Sequence, residues 1–125
     1  MKAKDIMTTK LITVTSKTPI LDAISLILGA GITGIPVVGD DMVPVGIITE
    51  MDLLKIMFSD IKKDKYVENF MNTAFITIDE SDSIETICKF LIENKFKRAP
   101  VLSNGRLVGI ISRKDLLRHI FKLKQ

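Results

Sequence analysis

The chain of 125 residues has no tryptophan and only one tyrosine, one cysteine and one histidine. A single cysteine, Cys88, cannot close an internal disulfide, so a reducing cytoplasm is the simplest setting. One Cys and one His supply no zinc-type cluster. They also give poor material for a nucleophile–base pair, which leaves carboxylates as the remaining acid–base groups. No basic segment followed by an apolar core opens the sequence, so no signal peptide is expected. Long uncharged runs are also scarce. Residues 23–39 carry no charge and approach the length of a membrane span. They contain Gly29, Gly31, Gly34 and Pro36, and Asp40 and Asp41 follow them. The corresponding stretch of the second half carries Glu93, Lys95, Lys97 and Arg98, so no membrane span is expected.

Apolar residues make up 46% and charged residues 26%, ordinary values for a globular domain with a real core. The net charge of +3 is uneven. Residues 1–62 hold six Lys against seven acids, whereas residues 63–125 hold eight Lys and four Arg against eight acids. This modest, local excess fits a small anionic ligand better than a nucleic acid, whose binders show clustered basic surface with interleaved aromatics.

The sequence repeats itself. Gly46-Ile47-Ile48-Thr49-Glu50-Met51-Asp52 returns as Gly109-Ile110-Ile111-Ser112-Arg113-Lys114-Asp115. Each reads as a strand buried on both faces that turns into a helix. Thr49 or Ser112 stands at the N-cap, with Asp three residues on. Met7 matches Met71, Ile12 matches Ile76 and Pro36 matches Pro100 at an offset of 64, whereas Gly46 matches Gly109 at 63. One extra residue therefore falls in the turn at 39–45. A long period present twice suggests two facing subdomains rather than an array.

Each half reads as β-α-β-β-α. Short strands are expected at 12–14 and 76–78. Helices follow, the first capped by Thr18 with Pro19 at its first position, the second capped by Asp82 with Glu85 three on. Their apolar stripes are Ile20, Ile24, Ile27, Leu28 and Ile84, Cys88, Leu91, Ile92. Hairpins at 35–38/45–48 and 99–102/107–111 come next, the second with an Asn104-Gly105 turn. Final helices are expected near 50–58 and 113–121, with a polar linker at 59–68.

These residues carry a family resemblance. Asp5-Ile6-Met7-Thr8 and Asn69-Phe70-Met71-Asn72, Ile35-Pro36-Val37-Val38 and Ala99-Pro100-Val101-Leu102, and the two Gly-x-x-Ser/Thr-x-x-Asp stretches occur in order and at the right spacing. Together they make the chain resemble a tandem pair of cystathionine-β-synthase (CBS) domains, a Bateman module. The resemblance implies an α/β fold of two pseudo-symmetric motifs packed through their sheets, with residues 1–60 as motif 1, 61–68 as linker and 69–125 as motif 2. It implies two clefts for adenosine derivatives, commonly AMP, ADP, ATP or S-adenosylmethionine, in a stand-alone regulatory module without catalysis.

Carried over by position, one cleft combines Thr8, Ile12 and Ile32 with Lys97, Arg98, Ile110, Ser112, Lys114 and Asp115. The other combines Asn72, Ile76 and Phe96 with Thr33, Gly34, Ile47, Thr49, Met51 and Asp52. A carboxylate can accept from both hydroxyls of a ribose, and a hydroxyl at a helix start suits a phosphate. The competing reading of Ser/Thr-x-x-Asp is a helix capping box. Lys97, Arg98 and Lys114 align with Thr33, Gly34 and Met51, so only the first cleft carries three cations.

Gly29-Ala30-Gly31-Ile32-Thr33-Gly34 matches a dinucleotide fingerprint literally. It follows a helix and enters a strand, which marks a helix end instead. Cys88 reads as a core thiol and His119 as a packing, interface or helix-dipole residue. Exposed apolar residues on the final helices, Met51, Leu54, Met57, Leu117 and Phe121, predict a homodimer. The regulated protein stays unnamed. The alternative function is an interaction or oligomerisation module with no physiological ligand, and an enzyme has the least support.

Overall fold

The computed structural model describes residues 1–125 as an α/β protein of two compact units. Unit 1 joins Met1–Leu11 to Ile76–Gln125, and unit 2 is Ile12–Phe75. This is a different division from the sequence repeats 1–60 and 69–125. Each repeat gives its opening segment to the other repeat's unit. Ala3 and Val67, 64 residues apart, are both fully buried, Ala3 in the core of unit 1 and Val67 in that of unit 2. Their backbone bonds are equivalent: the Ala3 N–H donates to the Asp82 carbonyl and the Val67 N–H to the Thr18 carbonyl, both at 2.9 Å. The end of the expected linker is therefore structured. Val67–Asn69 is a 3-10 turn, and Glu68 N–H donates to Ser16 O.

Unit 1 contains α1 (Ala3–Ile6), β3 (Ile78–Asp79), α4 (Ile84–Asn94), β4 (Arg98–Ser103), β5 (Arg106–Ser112) and α5 (Arg113–Leu123). Unit 2 contains α2 (Ile20–Ala30), β1 (Gly34–Val38), β2 (Pro44–Thr49), α3 (Glu50–Leu54) and a 3-10 turn at Lys55–Phe58. In unit 1 β3 runs parallel to β4, and β4 pairs antiparallel with β5. In unit 2 β1 pairs antiparallel with β2, and Val14 bridges Val37 in parallel. The expected strand at 12–14 thus shrinks to one bridge, and that at 76–78 moves to Ile78–Asp79.

The helix stripes are shifted by a residue. The buried positions are Ile20, Ala23 and Ile27 in α2 and Ile84, Ile87 and Leu91 in α4. Leu28 and Ile92 point outward, because each narrow sheet covers only a three-residue stripe. The caps also differ. Pro19 precedes α2 without a side-chain cap, and Thr18 Oγ1 instead accepts from Thr15 N–H. Ser83, not Asp82, caps α4 by accepting from Thr86 N–H at 3.1 Å. Asp82 accepts from Asp79 N–H in the preceding turn.

The strands that lead into the final helices alternate. Ile48 and Ile111 are fully buried, while Ile47 and Ile110 are half-buried, so these strands are not covered on both faces. Fully burying such a side chain stabilises by about 1.5–3 kcal/mol. Asn104 and Gly105 both have positive φ, the requirement of a two-residue type I′ hairpin. The longer first turn holds Asp40–Met42, where the extra residue is accommodated. Gly31 ends α2 at φ 63°, its N–H donating to Ile27 O, as expected of a helix end. Lys95 takes the equivalent left-handed position at φ 58°.

Candidate functional site

Each unit presents the same construction at the end of its hairpin. In unit 1, β5 ends at Ser112, which pairs in register with Arg98 of β4. The Arg113 N–H donates to Lys97 O at 2.9 Å, and Arg113 Nε donates to Phe96 O at 2.8 Å. These bonds hold the loop before β4 against the start of α5. In unit 2, Thr49 pairs with Gly34, and Glu50 N–H donates to Thr33 O at 3.1 Å.

Both Ser/Thr-x-x-Asp stretches form full capping boxes. Asp115 Oδ2 accepts from Ser112 N–H at 2.9 Å and from its hydroxyl at 3.0 Å, while Asp115 N–H donates back to Ser112 Oγ at 3.2 Å. Asp52 Oδ2 accepts from Thr49 N–H and Oγ1–H, both at 2.9 Å, and its N–H reaches Thr49 Oγ1 at 3.4 Å. The second carboxylate oxygen faces a cation one turn along. Arg118 Nη1 lies 3.0 Å from Asp115 Oδ1, and Lys55 Nζ lies 3.7 Å from Asp52 Oδ1. Sequence reading did not single out these two partners, although a carboxylate and a cation three residues apart on a helix are a recognisable pair.

The opening segments complete each sheet edge. Thr8 and Ile110 exchange backbone hydrogen bonds at 2.8 and 2.9 Å, and Asn72 and Ile47 do the same. Gly109 and Gly46 permit this approach. A Cβ on Gly109 would stand 2.5 Å from Met7 Sδ and 3.1 Å from Thr8 O. On Gly46 it would stand 2.8 Å from Met71 Sδ and 3.1 Å from Asn72 O. The glycine of the repeated motif is thus a close-approach residue.

Unit 1 therefore brings together Thr8, Lys97, Arg98, Ile110, Ser112, Lys114 and Asp115. Ile12 and Ile32, assigned with them from sequence, pack on the core of unit 2. Unit 2 brings together Thr33, Gly34, Ile47, Thr49, Met51, Asp52 and Asn72. Ile76 and Phe96 pack on the core of unit 1. Lys97 and Lys114 are exposed and Arg98 is half-buried, whereas Gly34 is buried and Met51 exposed. The cationic asymmetry of the sequence is therefore an asymmetry between the two hairpin ends.

The decoys resolve simply. Cys88 is half-buried against the core of unit 1, and that burial, with Glu85 nearby, pushes its thiol above the ordinary range. It stays protonated near neutral pH, which suits a packing residue rather than a nucleophile. No group of three or more His, Cys, Asp or Glu side chains is placed to hold a metal ion. No helix is long and apolar enough to cross a membrane.

Two swapped opening segments, two hairpins and two capped strand-to-helix turns define a paired module. The CBS domain family matches twice, at residues 3–59 and 67–122, and the chain belongs to that family. Among solved structures it is similar to CBSX2 of Arabidopsis thaliana in complex with AMP, at 30% identity and TM-score 0.88, covering 99% of this chain and 98% of that one. It is also similar to the CBS domain pair of protein MJ0100 in complex with 5′-methylthioadenosine and S-adenosyl-L-methionine, at 26% identity and TM-score 0.83, covering 100% and 98%. Among curated proteins, the chloroplastic CBSX1 of Arabidopsis thaliana is 29% identical over 86% of this chain and 58% of its own length. An uncharacterized protein of Methanocaldococcus jannaschii, MJ1225, is 28% identical over 92% of this chain and 41% of its own length. The chain thus spans about two fifths to three fifths of these curated relatives.

Proposed function

We propose that this chain is a non-catalytic regulatory module that binds adenosyl ligands, AMP, ADP or ATP first and S-adenosylmethionine second, and reports their level to another protein. The observation that carries the reading is the duplicated hairpin end, where a half-buried hydroxyl, a shielded carboxylate and free-standing backbone converge at the start of a helix. Solved relatives hold AMP, or 5′-methylthioadenosine and S-adenosylmethionine, on the same fold. In this reading Asp115 and Asp52 accept from the ribose hydroxyls, exchanging Arg118 and Lys55 at Oδ1 for the ligand. Ser112 and Thr49 face phosphate. Ile12, Ile32, Ile76 and Phe96 are the apolar residues assigned to the purine. Ligand binding would shift populations between arrangements of the protein.

Phosphorylated ligand is expected to bind more tightly at the Asp115 cluster, since Lys97, Arg98 and Lys114 stand there and Thr33, Gly34 and Met51 at the other. One effective charge-assisted contact, about 1.5 kcal/mol, separates the sites by roughly tenfold. The test is calorimetric titration of AMP and ATP, and of their 2′-deoxy forms, into wild type, Arg98→Ala, Asp115→Ala and Asp52→Ala at two salt concentrations. Arg98→Ala and Asp115→Ala should remove the tighter, salt-sensitive phase, and the deoxy forms should bind more weakly. Loss of that phase in Asp52→Ala instead, or equal affinity for the deoxy forms, overturns the assignment.

The same reading makes the protein a homodimer. Met51, Leu54, Met57, Leu117 and Phe121 are 71, 62, 81, 61 and 57% exposed in the single chain, a large apolar surface for a monomer. Light scattering at high micromolar concentration should give twice the chain mass; a monomer mass refutes it.

A further inference from the structure

Two helical faces of this chain are apolar, exposed and opposite in charge. In unit 2, α2 packs on α3. That pair and the turn after it expose Leu21, Leu28, Met51, Leu54, Met57 and Phe58, the last 94% exposed. These elements carry Asp22, Glu50 and Asp52 against Lys55, a net charge of −2. In unit 1, α4 packs on α5 and exposes Ile92, Leu117, Phe121 and Leu123. Those helices carry Lys89, Arg113, Lys114, Arg118 and Lys122 against Glu85, Glu93 and Asp115, a net charge of +2.

We infer that two copies pair head to tail, with the α4–α5 face of one copy seated on the α2–α3 face of the other. The inference rests on the homodimer reading and adds its orientation. A head-to-head pair would set α5 against its own copy and bring Arg113, Lys114, Arg118 and Lys122 toward their equivalents. Like charges brought together at an interface are disfavoured, whereas complementary faces steer association and fix register. The apolar residues serve either orientation, so the charge decides between them.

Mass comes first, by light scattering on the full chain. Orientation then follows from cross-linking in a Cys88→Ala background with Leu54→Cys and Leu117→Cys, both exposed positions that leave the cores intact. Each single-cysteine protein is treated with a short bis-maleimide alone and after subunit exchange with the other. The expected result is a dimer mass, efficient linkage only in the mixture, and weakening of the dimer as salt rises. A dimer that links within either variant alone, or in no combination, overturns the orientation while leaving the dimer standing. A monomer mass overturns the dimer itself.

Discussion

Asp115→Ala removes three contacts at once, and their sum can be worked out. Oδ2 accepts from the Ser112 N–H and hydroxyl, and Oδ1 pairs with Arg118. The ion pair is the small part. The Arg118 side chain is 67% exposed, so the pair contributes only about 0–1 kcal/mol. The cap is the larger part. Its loss costs about 0.5–2 kcal/mol, and the half-buried Ser112 N–H is left without its carboxylate acceptor. The total expected is about 2 kcal/mol. Asp115→Asn keeps one oxygen able to accept from Ser112 and should cost about half as much. Asp52→Ala should match Asp115→Ala, because its capping bonds are equivalent and its cation is farther away, at 3.7 Å.

The assay is urea unfolding followed by far-UV circular dichroism at one fixed protein concentration, since association contributes to apparent stability. If Asp115→Ala stays within about 0.5 kcal/mol of wild type, the cap carries no weight and the reasoning fails. The comparison also guards the ligand assignment. Two variants equally destabilised but unequal in ligand binding separate the structural role of the carboxylate from its binding role.

The remaining predictions concern backbone. Gly109→Ala should destabilise by about 1–3 kcal/mol by crowding Met7 and the Thr8 carbonyl. Adding Met7→Ala should recover only part of that loss in the same urea assay, because the carbonyl contact at 3.1 Å remains. Full recovery would show that the methionine alone sets the requirement for glycine. Lys95→Gly should stabilise by up to about 1 kcal/mol, since Lys95 ends α4 at φ 58° where glycine has no Cβ penalty. A lower thermal midpoint for that variant would count against the strain argument.

The hairpins and final helices were legible because several signals agreed at each. Asn104-Gly105 demanded a tight turn, the Ile-Ile pairs demanded burial, and Ser112 and Thr49 marked helix starts. The first strands were not legible to the residue, since one bridge at Val14 leaves no period to read. The caps of α2 and α4 misled for a local reason. Thr18 and Asp82 are good capping residues, but each closes the turn before its helix. At the candidate site, capping and ribose binding call for the same residues at the same spacing. The motif therefore announces a capped helix start equally well with or without a ligand, and the distinguishing information lies at the neighbouring positions Lys97, Arg98 and Lys114.

The exchange of opening segments was hidden by the repeat itself. Periodicity shows that Ala3 and Val67 are equivalent, but equivalence is silent about which core each enters. Both are apolar, both follow the same backbone pattern, and either assignment satisfies the hydrophobic count. Size is what differs between them. Unit 1 closes over Ala3 and unit 2 over Val67, each with no exposed surface. A division drawn at residue 60 would therefore leave unit 2 without Val67 and its bond to Thr18, and would leave Ala3 without Asp82. The loss of a buried valine and its backbone partner makes a separated half weaker than its sequence suggests. The repeat boundary marks where the sequence duplicates, and the buried pairs Ala3–Asp82 and Val67–Thr18 mark where the protein holds together.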